Sequence, residues 1–139
     1  MPVAPEGPEA ATILLPHATS SVGVARERVR RDLVAWGVPG ETVDDSVLVV
    51  SEIVSNSLKH ARPLDGGKVR LSWATRDDGV VLEVTDGGGA TRPRATSASS
   101  FAGAGRGLAV VGRLAREWGV RDEAAGTTVW ALVDMDIDP

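Results

Sequence analysis

Cysteine is absent from the 139 residues. That excludes disulfides, thiol catalysis and cysteine-ligated zinc together. The two histidines, His17 and His60, are too few for a histidine-rich metal site. Tyrosine is absent and phenylalanine occurs once, so the four tryptophans supply most of the aromatic surface. Lysine occurs only at Lys59 and Lys68, and the formal net charge is −4. No domain-wide basic field exists, so direct nucleic-acid binding is not expected. No apolar run approaches the roughly 20 residues of a membrane span, so no membrane partner is expected. Residues 1–8 carry neither a basic start nor an apolar run, which argues against a signal peptide and for a cytoplasmic location.

What is present describes an ordinary globule, with 42% hydrophobic and 24% charged residues. One domain is expected over 11–134, between a disordered proline-bearing tail at 1–10 and an acidic tail at 135–139. The stretch from Asp44 to Ala61 organises it. Val47, Val50, Val54, Ser57, Leu58 and Ala61 recur at helical spacing and form a stripe for the core. Asp45, Glu52, Asn56 and Lys59 share another face, because steps of three, four and seven residues stay together on a helix. Arg62-Pro63 ends the pattern, since proline cannot continue it.

Before this helix, Ala11–Leu15 reads as an edge strand ended by Pro16. Thr19-Ser20-Ser21 offers N-caps for a helix over about 22–36, and Pro39-Gly40 reads as the turn after it. After it, Lys68–Ala74 and Val80–Thr85 alternate as strands around an Asp-Gly hairpin tip. Gly87–Ala104 has little periodicity, and so long a connection is functional or disordered. A helix starts at Gly105, with Leu108, Val111, Leu114, Ala115 and Trp118 on one side and Gly119 ending it. Val120 begins a short strand, and Thr127–Val133 is the last. Hairpins with intervening helices give an α+β class, a mainly antiparallel sheet with helices on one face.

Three places carry chemistry. An amide oxygen at Asn56 suits Mg²⁺, which needs few protein ligands when phosphates supply the rest. Glu52, one turn earlier, suits a general base, and Lys59 suits a phosphate contact. A Glu-x-x-x-Asn pair is equally what a solvated helix face carries. His60 either lines the same cleft or caps the helix end. Asp86, at a strand end before three glycines, can accept a hydrogen bond from an adenine amine while Gly88 lies under the base. It is equally an ordinary Asp-Gly turn. The run Gly103–Leu108 puts glycine N–H groups at a helix start, where an anion binds. It is neither a dinucleotide fingerprint, since Leu108 stands where the third glycine belongs, nor a P-loop, since Gly-Lys-Ser/Thr is missing.

In this order and spacing the three signals resemble the Bergerat-fold (GHKL) ATP-binding family, over nearly all of Leu14–Val133. Glu52–Ala61 looks like its N box, Asp86–Gly89 and Gly105–Val111 like its glycine boxes, and Arg116–Val120 with Gly126–Trp130 like its C-terminal signature. The likeness is greatest to small anti-sigma-factor serine/threonine kinases and stand-alone bacterial regulatory ATP-binding proteins. The resemblance implies a two-layer α/β sandwich with a mainly antiparallel mixed sheet. It implies ATP and Mg²⁺ as cofactors, with Glu52 as catalytic base and Asn56 on the metal. It places Asp86 on adenine and Gly88 under the base. Gly105, Gly107 and Leu108 belong to the phosphate lid, Lys59 and Arg106 touch phosphate, and Thr127 helps hold Asp86. Arg92 and Arg94 lie in the lid without a firm counterpart.

The expected function is a kinase that phosphorylates a serine of an anti-sigma-factor antagonist, with a sigma factor as second protein partner and a homodimer as an expected state. The alternative is a non-catalytic, ATP-dependent interaction module. A complete sensor histidine kinase is not expected, because no phosphoacceptor helix precedes the pattern, nor is an ATP-driven machine, because no transducer domain follows.

Overall fold

A computed structural model describes residues 9–76, 78–89, 106–124 and 126–135. Eight elements occur in order: β1 (Ala10–Pro16), α1 (Ser20–Ala35), α2 (Gly40–His60), β2 (Lys68–Arg76), β3 (Gly79–Asp86), α3 (Arg106–Leu114), β4 (Glu117–Glu123) and β5 (Gly126–Asp134). The strands form one sheet in the order β1-β2-β3-β5-β4, with β1 at an edge as expected. Every pairing among the described strands is antiparallel. The class is the expected α+β sandwich of sheet and helices.

Period-two alternation decides which side chains face the helices. Val69, Leu71 and Trp73 of β2, Val80, Leu82 and Val84 of β3, and Val129, Ala131 and Val133 of β5 all point into one core. The helices answer with Leu33 of α1, Val111 of α3, and Val43, Val47, Val50, Ile53 and Val54 of α2. α2 is the central helix; it packs on β3 and β5 and is flanked by α1 and α3. Trp73 is fully buried, and its indole N–H donates to Asp32 of α1 at 3.1 Å.

Three local expectations are corrected. Pro39-Gly40 is not the turn: Pro39 is the N-cap of α2 and its carbonyl accepts from Val43 N–H at 2.9 Å. Proline suits a helix start, where its missing N–H would have had no partner. The turn falls earlier, where Gly37 N–H bonds Val34 carbonyl and Val38 N–H bonds Leu33 carbonyl. Second, neither Ser20 nor Ser21 caps α1. Thr19 stands at the N-cap without a side-chain cap bond, and the Ser21 hydroxyl donates to Pro16 carbonyl at 2.6 Å, fastening α1 to the end of β1.

Third, Trp118 and Gly119 are not on α3. That helix ends at Leu114, and Arg116 N–H donates to Leu132 carbonyl at 2.8 Å, delivering the chain into β4. Arg116 also reaches Asp78 at 2.7 Å and Asp134 at 3.3 Å, which holds the crossing. The Trp118 ring still packs against the core, so its apolar signal reported burial rather than helix. Gly119 lies under Trp130, where a Cβ would come within 2.9 Å of the indole.

No helix covers the opposite face of the sheet among the described residues. Beside the apolar row Ala74, Val81 and Leu132 it carries a polar ladder. One cross-strand row runs Arg70, Thr85, Thr128, Arg121, and the next Ser72, Glu83, Trp130, Gly119. Arg121 bridges Glu83 at 3.2 Å and Glu123 at 2.9 Å, and Arg70 reaches Glu123 at 3.0 Å. No helix among the described residues is long and apolar enough to cross a membrane.

Candidate functional site

The C-terminal turns of α2, the end of β3 and the start of β5 converge. Asp86 closes β3 and is 5% exposed. Ser57, on the last buried turn of α2, donates its hydroxyl to Oδ2 at 2.5 Å. The Gly88 N–H donates to Oδ1 at 2.8 Å, which bends the chain back over its own carboxylate. Gly88 has φ +83°, a conformation natural to glycine. Thr127 is the direct cross-strand partner of Asp86, and its Oγ1 lies 3.4 Å from where a Gly88 Cβ would stand. Gly126 is needed for the close approach of the two strands: a Cβ there would collide with the Asp86 carbonyl oxygen.

Burial pushes the Asp86 carboxyl above its ordinary value. The Ser57 hydroxyl, the Gly88 amide and the His17 imidazole pull the other way without cancelling it. The result is a carboxylate fixed in place by two donors, with lone pairs left for a ligand.

These residues sit in a cleft. Ile53, Leu108 and Val129 are its apolar walls, and Asn56, Ser57, His60, Asp86 and Thr127 its polar groups. Apolar walls with a few convergent polar groups suit a flat heterocycle whose edge is read by hydrogen bonds.

The expected site residues divide. Asn56, Asp86, Gly88, Leu108 and Thr127 all line the cleft. Glu52 is half-buried one turn before Asn56, and Lys59 is exposed; both stand outside the cleft wall. Arg106 and Gly107 are the first residues of α3, and Gly105, Arg92 and Arg94 lie outside the described residues. His60, the last residue of α2, is among the residues that line the cleft. Thr128, next to Thr127, points to the other face and bonds Thr85 at 2.6 Å.

Two residues were missed from sequence. Ser57 counted only as part of the core stripe, yet a buried hydroxyl needs a partner, and that need was the available signal. His17 gave no signal, since its partner is 44 positions away in sequence.

Residues 15–133 match the family model of the histidine kinase-like ATPase domain. The chain belongs to that family. An ATPase domain of this kind binds ATP, and the family and fold expected from Glu52–Ala61 and the two glycine segments are those found. No match emerges among curated proteins. Among solved structures, that of the RsbU and RsbW domains of Rv1364c from Mycobacterium tuberculosis is similar, with TM-score 0.70 and 23% identity. That likeness covers 91% of this chain and 32% of the other, so this ATPase domain spans about a third of that chain's length. At this identity the likeness is one of fold.

Proposed function

We propose that this ATPase domain is an anti-sigma-factor serine/threonine kinase that phosphorylates an anti-sigma-factor antagonist and, in a second role, holds a sigma factor. One observation carries the reading: Asp86, Ser57 and Thr127 meet Asn56 in a single cleft. The RsbW domain of the similar structure supports the choice of partner class.

In this reading Asp86 accepts the adenine amine, Gly88 lies against the ring, and Thr127 steadies the carboxylate. The amide oxygen of Asn56 holds Mg²⁺. The donor fits that ion: Asn56 offers a neutral amide oxygen in the cleft, and Mg²⁺ needs few protein ligands when phosphates and water supply the others. When bound, the ion neutralises charge on the phosphates. Glu52 takes the proton of the attacking serine hydroxyl as the serine O–P bond forms and the bond from the γ-phosphorus to the bridging oxygen breaks, releasing ADP. Lys59 and Arg106 meet phosphate charge, and Gly105 and Gly107 turn N–H groups toward phosphate oxygens.

The test is phosphate transfer from labelled ATP to an antagonist protein. Glu52→Ala should abolish transfer and leave ATP binding intact; Asn56→Ala should weaken both. Transfer that survives both substitutions would sink the mechanism. Tight ATP binding without transfer to any antagonist would mark the chain as an ATP-dependent interaction module.

A further inference from the structure

The link between β1 and α1 reaches the cleft through one side chain. His17 is fixed at its backbone, where its N–H donates to Gly67 carbonyl at 3.0 Å. Its Nε2 lies 3.0 Å from Ala61 carbonyl. A carbonyl only accepts, so Nε2 carries the proton and donates. Ala61 is the C-cap of α2, where the backbone leaves the helix for an extended conformation, and it lines the cleft.

Beyond Ala61 the chain forms a short strap across the floor. Arg62 N–H donates to Gly88 carbonyl at 2.8 Å, and Gly87 N–H donates to Arg62 carbonyl at 2.7 Å. The strap lies so close that a Cβ on Gly87 would collide with the Pro63 carbonyl oxygen. It therefore sets the path of the Gly87-Gly88 turn, and that turn supplies the N–H that holds Asp86 Oδ1. His17 also lies near enough to favour the ionised form of Asp86 by charge.

We propose that His17 is a positioning residue of the nucleotide-base pocket: its imidazole pins Ala61 carbonyl and, through the 61–63 strap, holds the Gly87-Gly88 turn and Asp86 where a purine edge is read. The inference rests on the reading of the cleft as a nucleotide site. His17 touches no ligand itself. Its effect belongs to the base end of the ligand and not to the phosphate end.

The experiment measures affinity for adenosine and for ATP on the full chain, beside thermal unfolding. His17→Ala removes the hydrogen bond and should weaken both ligands by the same factor, about three- to ten-fold, the span of one net hydrogen bond. His17→Gln places an amide N–H near the Nε2 position and should restore both affinities to within about two-fold. An effect confined to ATP, a lowered Tm with unchanged affinities, or no recovery in His17→Gln would each overturn the proposal. Asp86→Asn separates the two ideas. If Asp86→Asn leaves adenosine affinity unchanged, the nucleotide reading itself fails. If Asp86→Asn weakens binding and His17→Ala does not, only the role of His17 fails.

Discussion

Asp86 shows how one side chain serves fold and ligand in opposite directions. Burial holds its carboxyl above the ordinary value. The charged form is thus less comfortable folded than unfolded. At this group stability is greatest below the unfolded value and is withdrawn as pH rises through the raised one. In the proposed reading ligand binding has the reverse sign, because protonation removes an acceptor for an exocyclic amine. Adenosine affinity should therefore fall as pH is lowered through the raised value. Asp86→Asn should bind at least ten-fold more weakly, the scale of a lost charge-assisted hydrogen bond, and show a flat profile. Titration calorimetry across pH checks both; an unchanged profile in Asp86→Asn would contradict the assignment.

At the scale of elements, the helices and strands arise from spacing. The 21 residues of α2 bury Val47, Val50, Val54 and Ser57 along the expected stripe and widen it with Val43, Val49 and Ile53. Burial, not hydrophobicity, sets the cost of a change. Leu33 of α1 is 0% exposed and Leu48 of α2 is 49% exposed. Leu33→Ala should lose about 2–5 kcal/mol and Leu48→Ala about 0.5 kcal/mol or less, read by urea unfolding. The order of elements and the cleft residues Asn56, Asp86, Gly88, Leu108 and Thr127 were legible in sequence, because periodicity and glycine placement are local signals. Trp118 was misplaced because three- and four-residue spacing continues past Leu114, while the carbonyl that captures Arg116 lies on a strand later in the chain. His17 was invisible for the same reason, and Ser57 was legible only as a stripe member, because the carboxylate it meets lies on a later strand.

Taken whole, the molecule has two unlike faces. The helix side is held by apolar contact, and the other side of the sheet carries an ion-pair network in which Arg121 and Arg70 meet Glu83 and Glu123. Glu83 is 4% exposed, and Arg121 is its ion-pair partner. Burial pulls the Glu123 carboxyl upward, but Arg121, Thr128 and Arg70 outweigh it and hold it below its ordinary value. Glu123 thus lends stability above its unfolded value and loses it as pH falls through the folded one. Arg121→Met should cost about 3 kcal/mol by leaving Glu83 charged and uncompensated. The double variant Arg121→Met with Glu83→Leu should recover much of that loss; urea midpoints for the pair decide it.

The capture of Trp118 by β4 has an optical consequence. Trp73 and Trp130 are buried, and Trp36 caps α1 at the end remote from the cleft. Trp118 alone among the four lies beside α3: a Cβ on Gly112 would stand 3.6 Å from its indole nitrogen. It is half-buried, so its emission colour is sensitive to small changes in solvent contact. Since Leu108 of α3 is a cleft wall, ATP addition should shift fluorescence through this indole. Trp118→Phe should remove the shift while leaving affinity, measured calorimetrically, unchanged. The chain carries its own dye, held on β4 and packed against the helix that forms one pocket wall.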